Sequence, residues 1–207
     1  MTFTATVSQI LYYLAEGATG PLFDFDLVLG NPNATPAPVT ITFLKEDGST
    51  VVQTETLTAN SQRTLRVNGI AGLETAAVST VVSSDSALPL TVERSMLWDA
   101  GAAAARSGTS ATGPAIAPGA TYYGGHTAKA VDSPRTTWFF AEGSQGFFDT
   151  YLLLANASPN PTAATVTYLV EGGTPVVQNV TVGGTSRLTL FAGSLPDLVG
   201  KSFGISI

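Results

Sequence analysis

An internal repeat constrains this chain more than any other feature. Tyr12-Tyr13-Leu14-Ala15-Glu16-Gly17 returns 126 residues later as Trp138-Phe139-Phe140-Ala141-Glu142-Gly143. Asp24-Phe25-Asp26-Leu27-Val28-Leu29-Gly30-Asn31 returns as Asp149-Thr150-Tyr151-Leu152-Leu153-Leu154-Ala155-Asn156. Thr40-Ile41-Thr42-Phe43-Leu44 returns as Thr165-Val166-Thr167-Tyr168-Leu169, and Val51-Val52-Gln53 as Val176-Val177-Gln178. Ser61-Gln62-Arg63 aligns with Thr185-Ser186-Arg187. The matches keep their order over roughly 70 residues, so duplication of one folding unit is the simple explanation.

Each copy reads as strands. Val39, Ile41 and Phe43 alternate with Thr40 and Thr42, and Val166, Tyr168 and Val170 repeat the pattern. A period of two buries one face and wets the other. Asp47-Gly48 and Gly172-Gly173 supply positive-φ residues for tight turns. Partner strands are expected at 51–57 and 176–182, followed by 63–67 and 187–191, then 76–82 and 202–207. Asn31-Pro32-Asn33 and Ser158-Pro159-Asn160-Pro161 are turn clusters, because proline cannot donate to a ladder. No segment shows a good helical period. The expected fold is all-β: two tandem immunoglobulin- or fibronectin-like antiparallel β-sandwich modules, with a small jelly roll or barrel as the runner-up.

The expected division is a first module at 1–99, a Gly/Ala/Ser/Pro-rich linker or long loop at 100–135, and a second module at 136–207. Copy one continues through 88–98 into a closing strand, and copy two reaches Ile207 before any counterpart. The second module is therefore expected to lack its closing strand and to expose an apolar groove and a ladder edge. The next residues of a longer parent protein would fill that edge, or else a strand from elsewhere. Residues 1–10, where Phe3, Ala5 and Val7 alternate with threonine, are expected to pair within copy one or to be donated to a neighbour.

Composition narrows the function. Nine basic residues, scattered singly against fifteen acidic ones, leave a net charge of −6 and argue against a nucleic-acid partner. No stretch approaches the roughly 20 apolar residues of a membrane helix, so membrane insertion is not expected. The first ten residues lack the basic start and apolar run of a signal peptide. The expectation is a removed leader, a fragment, or a protein not secreted by that route. Cysteine is absent, so packing alone must hold each module.

Candidate chemistry is sparse. There is no cysteine and no Gly-x-Ser-x-Gly elbow, and His126, the only histidine, is expected in a glycine-rich loop. No catalytic residue and no resident cofactor are expected. Zinc needs several His or Cys ligands, which the chain lacks. Calcium needs only oxygen, so Glu16 with Asp24 and Asp26, and Glu142 with Asp149, are its candidate ligands. The competing explanation is a glutamate accepting turn hydrogen bonds and an aspartate capping a loop. A glycosidase would need a second acid and a cleft in each copy, whereas Glu16 and Glu142 simply occupy equivalent positions. Glu93 beside Arg94 is expected to form an ion pair at a strand edge.

Aromatic residues gather around the same turn: Tyr12, Tyr13, Phe23 and Phe25 in copy one, and Trp138, Phe139, Phe140, Phe147, Phe148 and Tyr151 in copy two. They are either core or an exposed platform that stacks on sugars. Trp138, Phe139, Phe148 and Tyr151 are the ligand-binding candidates, and the exposure of Trp138 and Phe148 separates the two readings. Asn33, Asn156 and Asn179 lie in glycosylation sequons.

Residues 12–17, 92–98, 124–126 and 138–143 resemble a bacterial family of unknown function found in surface or secreted proteins of actinobacteria and related groups. Its members carry repeated Trp-aromatic-x-Ala-Glu-Gly units, a Phe-Asp stretch, an Asn-Pro turn and a closing Val-Glu-Arg-Ser-Met-aromatic strand. Copy one departs from that pattern with Tyr12 in place of Trp. The resemblance implies an extracellular or cell-surface structural or adhesive role and supplies no catalytic residue. A protein or a cell-surface glycan is the expected partner, with carbohydrate binding through the aromatic cluster and filament assembly by strand donation as the alternatives.

Overall fold

The computed structural model describes residues 8–85, 87–98, 124–146 and 148–207. The strand-like residues 1–7, the stretch at 100–120 and Phe147 lie outside the described residues. The main boundary between two compact units falls between Ser133 and Pro134. Each unit is an antiparallel β-sandwich, and no α-helix occurs among the described residues.

The first module contains β1 (Gln9–Leu14), β2 (Phe23–Asn31), β3 (Ala37–Lys45), β4 (Thr50–Leu57), β5 (Ser61–Arg66), β6 (Val78–Asp85), β7 (Thr91–Trp98) and β8 (Gly124–Lys129). One sheet has the order β1-β6-β3-β4 and the other β5-β2-β7-β8. The alternating side chains of β2 and β3 explain the packing. Phe25, Leu27 and Leu29 face Val39, Ile41 and Phe43 across the sandwich, all fully or almost fully buried. Burial of each such side chain contributes about 2 kcal/mol. An immunoglobulin constant domain places its first, second, fourth and fifth strands in one sheet. Here the second and fifth strands pair in the opposite sheet from the first and fourth. The sandwich architecture is shared, while the path of the chain between the sheets is its own.

The expected linker at 100–135 contains β8, which pairs along β7 from Trp98↔Gly124 to Glu93↔Lys129. Val131 then exchanges backbone hydrogen bonds with Tyr13. The first module therefore extends to Ser133. A weakly patterned strand such as Gly-Gly-His-Thr-Ala-Lys carries too little apolar periodicity to be seen before its partner is known.

The second module contains β9 (Phe139–Ser144), β10 (Tyr151–Asn156), β11 (Thr162–Val170), β12 (Val176–Val182), β13 (Ser186–Phe191) and β14 (Ser202–Ser206). Its larger sheet, β9-β14-β11-β12, repeats β1-β6-β3-β4 strand for strand. Its smaller sheet holds only β10 and β13, the counterparts of β2 and β5. Among the described residues, nothing takes the places of β7 and β8.

Two devices hold both copies in the same shape. The first is a corner asparagine. The Asn31 side-chain amide donates to the carbonyls of Thr35 (3.0 Å), Leu57 (3.2 Å) and Thr58 (2.9 Å). Asn156 does the same to Asn160 (2.8 Å), Val182 (3.4 Å) and Gly183 (2.9 Å). Each side-chain oxygen accepts a backbone N–H two residues on. One amide thus ties the end of β2 or β10 to the chain leaving β4 or β12. Asn156 is therefore a buried structural residue, although it begins a sequon.

The second device is the glycine of Ala-Glu-Gly. A Cβ on Gly17 would lie 2.6 Å from the Phe25 ring, and one on Gly143 would lie 2.5 Å from the Phe203 ring. The ring comes from β2 in one copy and from β14 in the other. Thr150 replaces Phe25, and Phe203 replaces Val78. Each ring meets an aromatic of the middle strand edge-on, Phe25 against Phe43 at 6.5 Å and Phe203 against Tyr168 at 5.4 Å. The swap preserves the volume over the glycine.

The ladders also correct the repeat register by one residue. Asn31 pairs with Ser61, and Asn156 pairs with Ser186, so Ser61 corresponds to Ser186. Asn60 and Thr185, both at positive φ, mark the same turn.

Candidate functional site

The modules differ most where β7 runs. In the first module, Val92, Arg94 and Met96 point inward, opposite Leu29, Leu27 and Phe25 of β2. Arg94 is buried among them. Its Nη2 donates to Glu16 Oε2 and lies 3.0 Å from His126 Nδ1. With Nδ1 unprotonated, the imidazole accepts a second bond from the same guanidinium. Burial pulls the Arg94 pKa down, and Glu16 pulls it back up. Among the described residues, Nη1 of Arg94 has no hydrogen-bond partner. The expected Glu93–Arg94 pair does not form, because adjacent residues of a strand face opposite ways. The arginine's partner is Glu16, 78 residues away in sequence.

His126 lies in β8, opposite Met96, rather than in a loop. Gly124 and Gly125 before it pack close against β7. A Cβ on Gly124 would fall 2.5 Å from the Trp98 indole, and one on Gly125 would fall 2.6 Å from Leu97. Among the described residues, no hydroxyl nucleophile is hydrogen-bonded to His126.

In the second module, the counterparts of Leu14 and Glu16 are exposed, while that of Leu27 stays buried. Tyr12 is buried, and its hydroxyl accepts the Leu90 N–H at 2.7 Å. Its counterpart Trp138 is half-buried and donates from Nε1 to the Arg135 carbonyl. Leu14 is 5% exposed, whereas its counterpart Phe140 is 44% exposed. Phe140 pairs with the core residue Ile205, so the bare ring belongs to the inward face. Glu142 is exposed, and among the described residues no basic side chain pairs with it.

The calcium candidates do not gather. Glu16 reaches an inward-facing side chain of β7, while Asp24 and Asp26 project from the other face of β2. Asp24 is 3.0 Å from Arg66. Burial raises the Asp26 pKa, the Arg66 charge lowers it, and Asp24 raises it further. Asp149 accepts from Gln145 Nε2 at 3.0 Å. Among the described residues, no three His, Cys, Asp or Glu side chains come together as metal ligands.

The aromatic candidates are divided between two faces. Phe139 (75% exposed) pairs with Ser206 on the outer face of the larger sheet. Tyr151 (53% exposed) lies on the outer face of the smaller sheet, and Phe148 is also exposed. Tyr151 stacks on Phe191, with ring centroids 4.9 Å apart and planes at 25°. Sequence reasoning missed Phe191, since only the β10–β13 register brings the two rings together. The same outward positions in the first module hold Asp26 and Arg66. An open depression of about 500 Å3 also crosses the outer face of the first module's β1-β6-β3-β4 sheet. It is lined by Ser and Thr with Glu55 and Asp85, and no aromatic ring borders it.

No family model matches the chain, and no curated protein matches it. Among solved structures, the chain is similar to the Thermotoga maritima 1070 crystal structure, with 15% identity over 60% of this chain and 94% of that one, at a TM-score of 0.45. It is also similar to the Anabaena sensory rhodopsin transducer, with 20% identity over 44% of this chain and 86% of that one, at a TM-score of 0.36.

Proposed function

We propose that this chain is a non-catalytic structural or adhesive repeat of an extracellular bacterial surface protein. The observation that supports this most is what the residues common to both copies do. Asn31 and Asn156, and Gly17 and Gly143, hold corners and close packing rather than a reacting group. The glutamate they share neutralises a buried arginine in one copy. The resemblance of residues 12–17 and 138–143 to a bacterial surface family supports the extracellular placement.

A carbohydrate-binding module is the second reading, favoured by the exposed Tyr151–Phe191 stack. A glycan array and antibody labelling of intact cells test both. The structural reading expects labelling of unpermeabilised cells, no hydrolysis of arrayed glycans, and no saturable glycan signal. Glycan binding that disappears in Tyr151→Ala would transfer the assignment to carbohydrate recognition. Turnover of any arrayed glycan would overturn the non-catalytic reading.

A further inference from the structure

We infer that residues 124–133, β8 and the turn after it, form a releasable strap across the first module. The strap opens as a unit while the rest of the sandwich stays folded. Its opening uncovers one edge of β7 and the Arg94 guanidinium, and His126 is its clasp.

The strap crosses between the two layers. β8 pairs with β7 of the smaller sheet. The Ala130 N–H then donates to the Val92 carbonyl at 2.8 Å. Val131 exchanges backbone hydrogen bonds with Tyr13, on β1 of the larger sheet, at 2.8 and 3.0 Å. This attachment is mostly backbone. None of residues 124–133 is buried, and Val131 is 38% exposed. Trp98 and Leu97 lie against Gly124 and Gly125, yet neither side chain is buried by the contact. Within the strap, Ala130 is the one apolar residue that packs against the first core.

The other edge of β7 is held differently. Along β2, the ladder carries Phe25, Leu27 and Leu29 beside Val92, Arg94 and Met96, all buried. A segment with few buried apolar contacts and exposed backbone hydrogen bonds opens at a lower free energy than the whole fold. Release of the strap breaks the β7–β8 ladder and leaves β7 paired with β2. Val92 and Met96 stay in a core cluster that holds no residue of β8. Arg94 stays held by Glu16.

One side chain ties the strap to the interior. Among the described residues, the only side-chain hydrogen bond from the strap to the body of the module is His126 Nδ1 accepting from Arg94 Nη2, at 3.0 Å. A hydrogen bond to a charged group contributes more than a neutral one, so this contact is the part of the strap most sensitive to substitution.

Native-state amide hydrogen exchange on the full chain, in rising sub-denaturing denaturant, tests the strap. Amides of Gly124–Lys129 and Val131 are expected to exchange through an opening that depends little on denaturant, because it exposes little surface. Those of Phe23–Asn31 are expected to follow global unfolding. His126→Ala is expected to speed exchange in the strap by about tenfold and to leave Phe23–Asn31 unchanged. His126→Gln, whose amide oxygen can accept from Arg94, is expected to restore most of that protection. A single opening shared by the strap and Phe23–Asn31, with one dependence on denaturant, would overturn the inference. So would strap exchange in His126→Ala at the parent's rate. Neither result touches the structural-repeat reading, which falls only to glycan turnover, glycan recognition or intracellular placement.

Discussion

The two modules share a plan and differ in completion. The larger sheets correspond strand for strand, yet among the described residues the smaller sheet has four strands in one copy and two in the other. The consequence is visible in the cores. Eighteen buried apolar residues form the first core among the described residues, and eight form the second. Only Leu90, Val92 and Met96 of the first set come from β7 or the residue before it. At other positions the side chain itself differs, as where Thr150 stands for Phe25, or an apolar side chain is more exposed, as Phe140 is. A strand thus matters well beyond its own residues, because in a two-layer fold each strand shields the layer opposite.

The glutamates offer the sharpest way to break this comparison. Glu16→Ala leaves Arg94 buried without its carboxylate and is expected to destabilise the first module by about 3–5 kcal/mol. Glu142→Ala removes an exposed charge and is expected to stay within about 0.5 kcal/mol. Chemical denaturation of the two variants checks both values. Equal effects would mean that the two acids do the same work.

The corner asparagines test the shared half of the plan. Asn31→Ala and Asn156→Ala each remove three donated hydrogen bonds, one of them buried and two part-buried. Each is expected to cost about 2–3 kcal/mol, at roughly 1 kcal/mol per bond. A large difference between them in denaturation would show that the corners are not equivalent.

Much of this was legible in the chain. The repeat and the strand class follow from sequence order, because alternation and turn residues are local properties. The site was less legible. Glu16 and Arg94 meet only after the chain crosses between sheets, and Glu93 beside Arg94 suggested the wrong partner. The Tyr151–Phe191 stack depends on a strand register. The exchange of Phe25 for Phe203 hides as two unrelated substitutions until both are seen to fill the space over one glycine.

Smaller effects sharpen the comparison further. Thr185 occupies the positive-φ position that Asn60 holds in the first copy. A β-branched residue is strained there and asparagine much less so, so Thr185→Asn is expected to stabilise the second module by about 1 kcal/mol. A thermal scan that shows no gain would contradict the shared turn. Asp26 gives the smallest effect and a pH dependence. Burial raises its pKa, so the folded state holds that proton more tightly than the unfolded chain. Stability from this group is full below the ordinary carboxylate range, falls as pH rises to the raised value, and stays reduced above it. Asp26→Asn is therefore expected to raise the first module's melting temperature near neutral pH. That advantage should vanish as the carboxyl of the parent protein is protonated in acid.

Amide hydrogen exchange on the full chain, with no added partner, tests the central claim most directly. Among the described residues, β2 has neighbours on both sides and β10 on one. The account predicts protection at successive amides through Phe23–Asn31, and in Tyr151–Asn156 protection only at the alternate amides that face β13. Uniform protection along Tyr151–Asn156 would contradict it, since the β10 edge would then already be closed.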